Sequence, residues 1–172
     1  LIIAISISNI FRFDIFELKS ESAKLPTWIF ILSSVLLEGS GVIMAALIAI
    51  SLLKKKRTTE ITLFGTSKSK SLMMTAIPIV ILTVIGVKND HNLNEHLYGF
   101  IAIIGTLVYC IMEEYGWRGY LQEEFKTLKP WKKYLLIGFL WYVWHLTFLT
   151  EATISDNLFF FGMMVFGSWG IG

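Results

Sequence analysis

Two adjacent glutamates and an arginine directly follow a long apolar run, and they are the residues of this chain best suited to chemistry: Glu113, Glu114 and Arg118. An ionisable side chain at membrane depth costs about 2.5–3.5 kcal/mol even on the lenient insertion scale, so such residues tend to mark functional sites. A further polar residue, His145, lies in the otherwise apolar and aromatic run Trp141–Leu146. Carboxylates and an imidazole in separate membrane segments are the groups that acid–base catalysis requires.

The spacing of the first cluster predicts different roles for its two carboxylates. On a continuous helix, Glu114 and Arg118 are four residues apart in the orientation that favours an ion pair. Glu113 lies about 100° further round the axis, where its i+4 neighbour is Trp117 rather than a base. Glu113 is therefore the candidate general base, and Glu114 is a bracing residue. The alternative is a purely structural charge cluster at the membrane edge.

His145 is the second half of the candidate site. Trp141 lies four residues earlier, so its indole is expected to pack on the imidazole and fix its rotamer. An aromatic stripe at helical spacing is also typical of packing or of an interfacial belt. The run 134–149 holds no other ionisable residue except tyrosine. His145 therefore needs a partner elsewhere in the bundle, and we expect it to share a cavity with Glu113, close enough to bridge one water.

The composition indicates a membrane protein. The 172 residues are 55% hydrophobic and only 16% charged, and the mean hydropathy is +0.64. The formal net charge of +2 is too small to indicate nucleic-acid binding, so the expected partners are the lipid bilayer and a substrate. One cysteine, Cys110, excludes a disulfide within the chain.

The elements that would position these residues are membrane helices, because a spanning helix needs about 20 mostly apolar residues. We predict an all-α polytopic transmembrane bundle, with residues 1–172 as one membrane-embedded domain that is truncated at both ends. About six spans are expected, at Leu1–Ile10, Trp28–Leu53, Leu72–Val87, Leu97–Met112, Tyr134–Leu149 and Leu158–Gly172.

Charge in the loops predicts the topology. Lysine and arginine are enriched in cytoplasmic loops. The loops 54–71 and 126–133 are rich in these residues and are predicted to be cytoplasmic, whereas 11–27, 88–96 and 151–157 are predicted to be outside. This alternation agrees with six spans and places the Glu-Glu cluster towards the cytoplasm. The expected location is the plasma membrane of a bacterium.

These motifs resemble the CPBP family, which includes the CAAX prenyl endopeptidases and the bacteriocin-immunity (Abi) proteins. The family pattern Glu-Glu-x-x-x-Arg is matched by Glu113, Glu114 and Arg118, and the pattern Phe-x-x-x-His is matched by His145, with Trp141 in the Phe position. A third pattern, His-x-x-x-Asn, has no counterpart here, because the sequence has no histidine after position 145. The resemblance covers about residues 97–172.

The resemblance implies an intramembrane endopeptidase of the CAAX-protease type. Glu113 would activate the attacking water, His145 would position or polarise it, and Glu114 and Arg118 would brace the site. The missing histidine and asparagine would bind the oxyanion. The implied substrate is a peptide or protein, prenylated or not. No cofactor is required by this reading, but a divalent metal such as zinc stays open, with Glu113 and His145 as the candidate ligands.

Two other functions fit the same residues. One is a non-catalytic self-immunity or scaffold protein that keeps the fold. The other is a proton-coupled transporter, in which Glu38, Glu113 and His145 would relay protons. A transporter is expected to show internal repeats, and none is visible in this sequence.

Overall fold

The computed structural model describes residues 2–10, 26–53, 64, 67–146, 149 and 151–171. Most of the predicted loops 11–27 and 54–71 lies outside these residues, as do the side chain of Glu38 and residues Thr147 and Phe148. The described residues form helices and no strand, which confirms the all-α prediction. The six main helices are α1 (Ile2–Asn9), α2 (Thr27–Leu53), α3 (Lys68–Ile85), α4 (Glu95–Glu114), α5 (Pro130–His145) and α6 (Ile154–Ile171).

The helix ends differ from the predicted spans because polar residues cap the helices beyond their apolar runs. Asn94 caps α4, where its side-chain oxygen accepts hydrogen bonds from the backbone N–H groups of His96 and Leu97 at 3.1 and 3.2 Å. α5 begins at Pro130, four residues before its predicted start, since proline lacks only an N–H that the first turn would leave unpaired. α6 begins early as well, because Thr153 and Asp156 exchange capping hydrogen bonds.

Three helical stretches within the described residues are long and apolar enough to cross a membrane. They are Val35–Leu52 in α2, Lys68–Ile85, and the 30 residues Glu95–Glu124. The other three predicted spans correspond to α1, α5 and α6, and their crossing of a membrane stays a prediction. The apolar surface of α3 suits lipid contact, since this helix buries none of its residues.

The chain after α4 departs from α-helical geometry. Tyr115–Leu121 forms a π-helix, followed by one α-helical turn, Gln122–Glu124. Sequence analysis predicted a simple continuation of the α-helix, and this part of the prediction was wrong. Four successive residues of the π-helix, 116–119, are buried. A π-helix turns less per residue than an α-helix, so it can direct such a run towards the protein interior, and π-helical insertions often occur at functional sites.

Helix packing places the π-helix at the centre of the described contacts. α2 packs against α1, α4 and the π-helix, while α3 packs against α4. α5 and α6 pack on each other, and α5 also contacts the π-helix. Gly116 is needed at this junction, because a Cβ atom there would collide with Val42 of α2. The Glu-Glu cluster and the His145 helix therefore meet where α4 passes into the π-helix.

Candidate active site

Glu113 is buried at the end of α4, and donors from two helices hold it. Only 5% of its surface is exposed. Its Oε1 accepts a hydrogen bond from the Tyr109 hydroxyl at 2.7 Å and another from Trp144 Nε1 at 3.0 Å. Tyr109 lies one turn earlier on α4, whereas Trp144 lies on α5. The carboxylate is therefore fixed in position and also links the two halves of the candidate site.

The two oxygens of Glu113 are in different situations. Both recorded hydrogen bonds end on Oε1. Within the described part of the chain, Oε2 accepts none. A carboxylate anchored through one oxygen keeps lone pairs on the other, which is the arrangement that a general base needs.

Glu114 pairs with Arg118, as the four-residue spacing predicted. Glu114 Oε1 accepts a hydrogen bond from Arg118 Nη1 at 2.9 Å. Arg118 is 8% exposed, and its guanidinium carbon lies 4.5 Å from the ring centroid of Trp141 on α5. This ion pair, with its cation–π contact, ties the π-helix to α5. The two glutamates thus have different partners, in agreement with the predicted division between them.

The imidazole of His145 is oriented by its own helix and by α6. His145 Nδ1 lies 2.9 Å from the backbone carbonyl of Trp141. A carbonyl can only accept, so Nδ1 carries the proton, and in the neutral ring Nε2 has the lone pair. The rings of Trp141 and Phe160 meet the imidazole edge-on, at centroid distances of 5.9 and 5.3 Å. The packing of Trp141 on His145 confirms the sequence prediction.

The structure brings Glu113 to the His145 helix through a residue that sequence analysis did not single out. The partner of Glu113 on α5 is Trp144, the neighbour of His145. The water bridge between Glu113 and His145 stays a prediction. Tyr109, the other partner, was also missed, although its position four residues before Glu113 could have suggested it. Trp144 offered no such signal, because its indole fits the apolar pattern of α5.

The described residues do not by themselves form a metal site. A zinc site takes at least three protein ligands. Within the described ranges, no group of three or more His, Cys, Asp or Glu side chains could hold a metal ion. Glu113 and His145 supply two ligands at most, and one oxygen of Glu113 is already engaged by Tyr109 and Trp144. The mechanism proposed below therefore includes no step through a metal.

Comparison with known proteins agrees with the motifs. Neither a curated protein nor a solved structure matches the chain. Residues 95–170 match the family model of the type II CAAX prenyl endopeptidases, Rce1-like. This range begins at the first residue of α4 and includes Glu113, Glu114, Arg118 and His145. The match confirms the resemblance inferred from the motifs, and at the level of the family it indicates a membrane-embedded protease.

Proposed function

We propose that this chain belongs to an intramembrane endopeptidase that hydrolyses a peptide bond with a water activated by Glu113. The observation that carries the proposal is the geometry of this carboxylate. Glu113 is buried, its Oε1 is anchored by two donors, and its Oε2 accepts no hydrogen bond from the described residues. The family match of residues 95–170 supports the same reaction class.

The proposed reaction moves one proton through Glu113. Oε2 takes a proton from a water molecule while the water oxygen attacks the scissile carbonyl carbon. His145 positions that water through Nε2, whose lone pair accepts a hydrogen bond from it. When the C–N bond breaks, the protonated Glu113 donates its proton to the leaving amine. The products are a free carboxyl group and a free amine, and Glu113 returns to its starting state.

Glu114 and Arg118 support this chemistry from the side. Their ion pair fixes the π-helix against Trp141. Glu113 precedes this pair directly in the chain, so the position of its backbone depends on the same junction. We assign Glu114 and Arg118 a bracing role, with Glu113 and His145 acting on the water.

The proposed substrate is a peptide or protein segment that reaches the site from the cytoplasmic side of the membrane. The support for this side is the lysine cluster that follows the π-helix, namely Lys126, Lys129, Lys132 and Lys133. A water-filled space between helices would admit both water and an extended peptide. Whether a prenyl group is recognised is part of the experiment below.

A non-catalytic scaffold is the second candidate, and one observation favours it. The hydrogen bonds of Glu113 to Tyr109 and Trp144 join α4 to α5. A buried acid in such a role can be purely structural, because a carboxylate that accepts two hydrogen bonds satisfies a large part of its need for partners. The scaffold and the peptidase therefore differ in what Oε2 does.

The test is hydrolysis of a fluorogenic peptide, with and without a prenyl group, by the full-length protein in detergent. Glu113→Gln keeps an oxygen for Tyr109 and Trp144 but removes the base, so we expect hydrolysis to fall about 10²–10⁴-fold with little change in melting temperature. The matched control is Glu123→Gln, which removes a carboxylate on the same helical stretch whose partner, Lys126, is exposed. This control should keep full activity. Full activity in Glu113→Gln would refute the mechanism, and no hydrolysis by the wild-type protein would favour the scaffold.

A further inference from the structure

Three nitrogen donors are buried at the junction of the π-helix and α5 without an acceptor among the described residues. They are Trp117 Nε1, Arg118 Nη2 and Trp141 Nε1. A buried donor without a partner costs about 1–3 kcal/mol. Native proteins keep few such groups, and those at a site often await a ligand. Three in one short region therefore require an explanation.

Two of the three donors belong to side chains in direct contact. The guanidinium of Arg118 lies over the indole of Trp141 at 4.5 Å. Arg118 Nη1 is already engaged with Glu114, which leaves Nη2 as the donor without a partner. Trp141 also contacts the ring of His145, one turn further along α5. The unused donors thus lie beside the imidazole to which we assign the reactive water.

We propose that Arg118 Nη2 and Trp141 Nε1 bind a backbone carbonyl oxygen of the peptide substrate, which makes Trp141 a substrate-positioning residue. This inference rests on the proposed peptidase function. The motif that the chain resembles has phenylalanine at this position, and phenylalanine has no donor. The N–H of Trp141 is therefore an addition that aromatic packing does not require.

The charges of the site favour a neutral carbonyl over a carboxylate as the acceptor. Arg118 is already paired with Glu114, so its charge is largely balanced. Glu113, as a base, adds a further negative charge nearby. A substrate carboxylate at the same place would repel both glutamates in a medium of low dielectric constant, where such repulsion is strong. A peptide carbonyl satisfies the donors without this penalty.

The first experiment measures peptide binding separately from hydrolysis. A fluorescent peptide is titrated against the full-length protein carrying Glu113→Gln, with and without Trp141→Phe. Phenylalanine keeps an aromatic ring under Arg118 but removes the N–H, so we expect the Kd to rise about 2- to 12-fold, as for the loss of one hydrogen bond. The matched control is Trp131→Phe on the same helix, because Trp131 is 57% exposed and lies outside the site. An unchanged Kd in Trp141→Phe, or an equal rise in both variants, would overturn the inference.

The second experiment identifies the acceptor atom. In a series of peptides, one backbone carbonyl at a time is replaced by a thioamide, whose sulfur is a weaker acceptor. One position should weaken binding when Trp141 is present and have no further effect in Trp141→Phe, as expected for two changes to the same hydrogen bond. Amidation of the peptide's C-terminus should leave the effect of Trp141→Phe unchanged. An effect seen only with a free C-terminal carboxylate would overturn the carbonyl assignment.

The two proposals fail in different ways. If the wild-type protein binds the peptide but does not cleave it, the peptidase function fails while the donor pair stands as a peptide-binding site. If the wild-type protein cleaves the peptide and Trp141→Phe binds it equally well, the donor pair fails alone. If no peptide binds, both fail. The melting temperature separates binding from packing, since a structural role of the indole N–H would lower the melting temperature of Trp141→Phe without a selective effect of one thioamide position.

Discussion

The ion pair between Glu114 and Arg118 allows a quantitative prediction, because its two partners differ in exposure. The side chain of Arg118 is 9% exposed and that of Glu114 is 37% exposed, at an N–O distance of 2.9 Å. Glu114→Gln removes the negative charge and leaves Arg118 buried. We expect this single change to destabilise the protein as well as slow it.

The expected loss lies between two limits. Removing one partner of a fully buried pair costs about 3–5 kcal/mol, whereas an exposed pair contributes about 0–1 kcal/mol. Here water reaches Glu114, the glutamine oxygen can still accept a hydrogen bond, and the contact of Arg118 with Trp141 remains. These three effects reduce the loss, so we expect about 1–3 kcal/mol. For a protein of this size, that corresponds to a fall in melting temperature of about 3–10 °C.

Thermal unfolding in detergent, followed by tryptophan fluorescence, measures this effect. The double variant Glu114→Gln/Arg118→Met should recover part of the lost stability, because it no longer buries an uncompensated cation. Glu123→Gln is the control, since the partner of Glu123, Lys126, is exposed, and its effect should stay within about 0.5 kcal/mol.

Two results would refute this reasoning. One is a wild-type melting temperature in Glu114→Gln, which would mean that Arg118 does not depend on its partner. The other is a further loss of stability in the double variant, which would mean that the packing of Arg118 matters more than its charge. Equal activity loss and equal melting temperatures for Glu113→Gln and Glu114→Gln would also contradict the different roles assigned to the two glutamates.

Three further predictions address the rest of the site and its setting. Trp144→Phe removes a donor to Glu113 while keeping an aromatic ring, and a hydrogen bond to a charged group contributes about 1.5–3 kcal/mol, so hydrolysis should fall by about 10- to 150-fold; a wild-type rate would count against the anchoring of Glu113. Gly138→Ala places a Cβ 2.6 Å from the backbone of α6 and should cost about 1–3 kcal/mol, whereas Gly162→Ala, with nothing within 4 Å, should cost nothing; equal melting temperatures would disprove close helix packing there. A cysteine at Lys132 in a cysteine-free background should resist a membrane-impermeant thiol reagent in intact cells, and labelling from outside would reverse the proposed topology.

Local spacing in the sequence was sufficient for the features that depend on one helix. The Glu114–Arg118 pair and the packing of Trp141 on His145 were both predicted from a separation of four residues, and both are present. Such pairs need only a continuous helix turn to form, so the sequence contains the information that determines them. The all-α fold followed from apolar run lengths for a similar reason.

The π-helix could not be predicted in this way, because tertiary packing selects it. Its backbone lies against α2, where Gly116 leaves no space for a side chain beside Val42. That contact joins residues far apart in the sequence, and no local pattern reports it. The glycines at 116 and 119 show that the helix is weakened here, but not which geometry replaces it. The burial of the successive residues 116–119 is therefore a product of the fold.

The partners of Glu113 illustrate a more general limit of hydropathy patterns. A tryptophan combines a large apolar body with one N–H donor, and a pattern of apolar residues registers only the body. Trp144 and Trp141 therefore appear alike in the sequence, as members of one aromatic stripe. In the structure, the N–H of Trp144 holds the candidate base, whereas that of Trp141 has no acceptor among the described residues. The polar atoms of the aromatic residues, rather than the charged residues alone, thus distinguish an active site from ordinary packing in this chain.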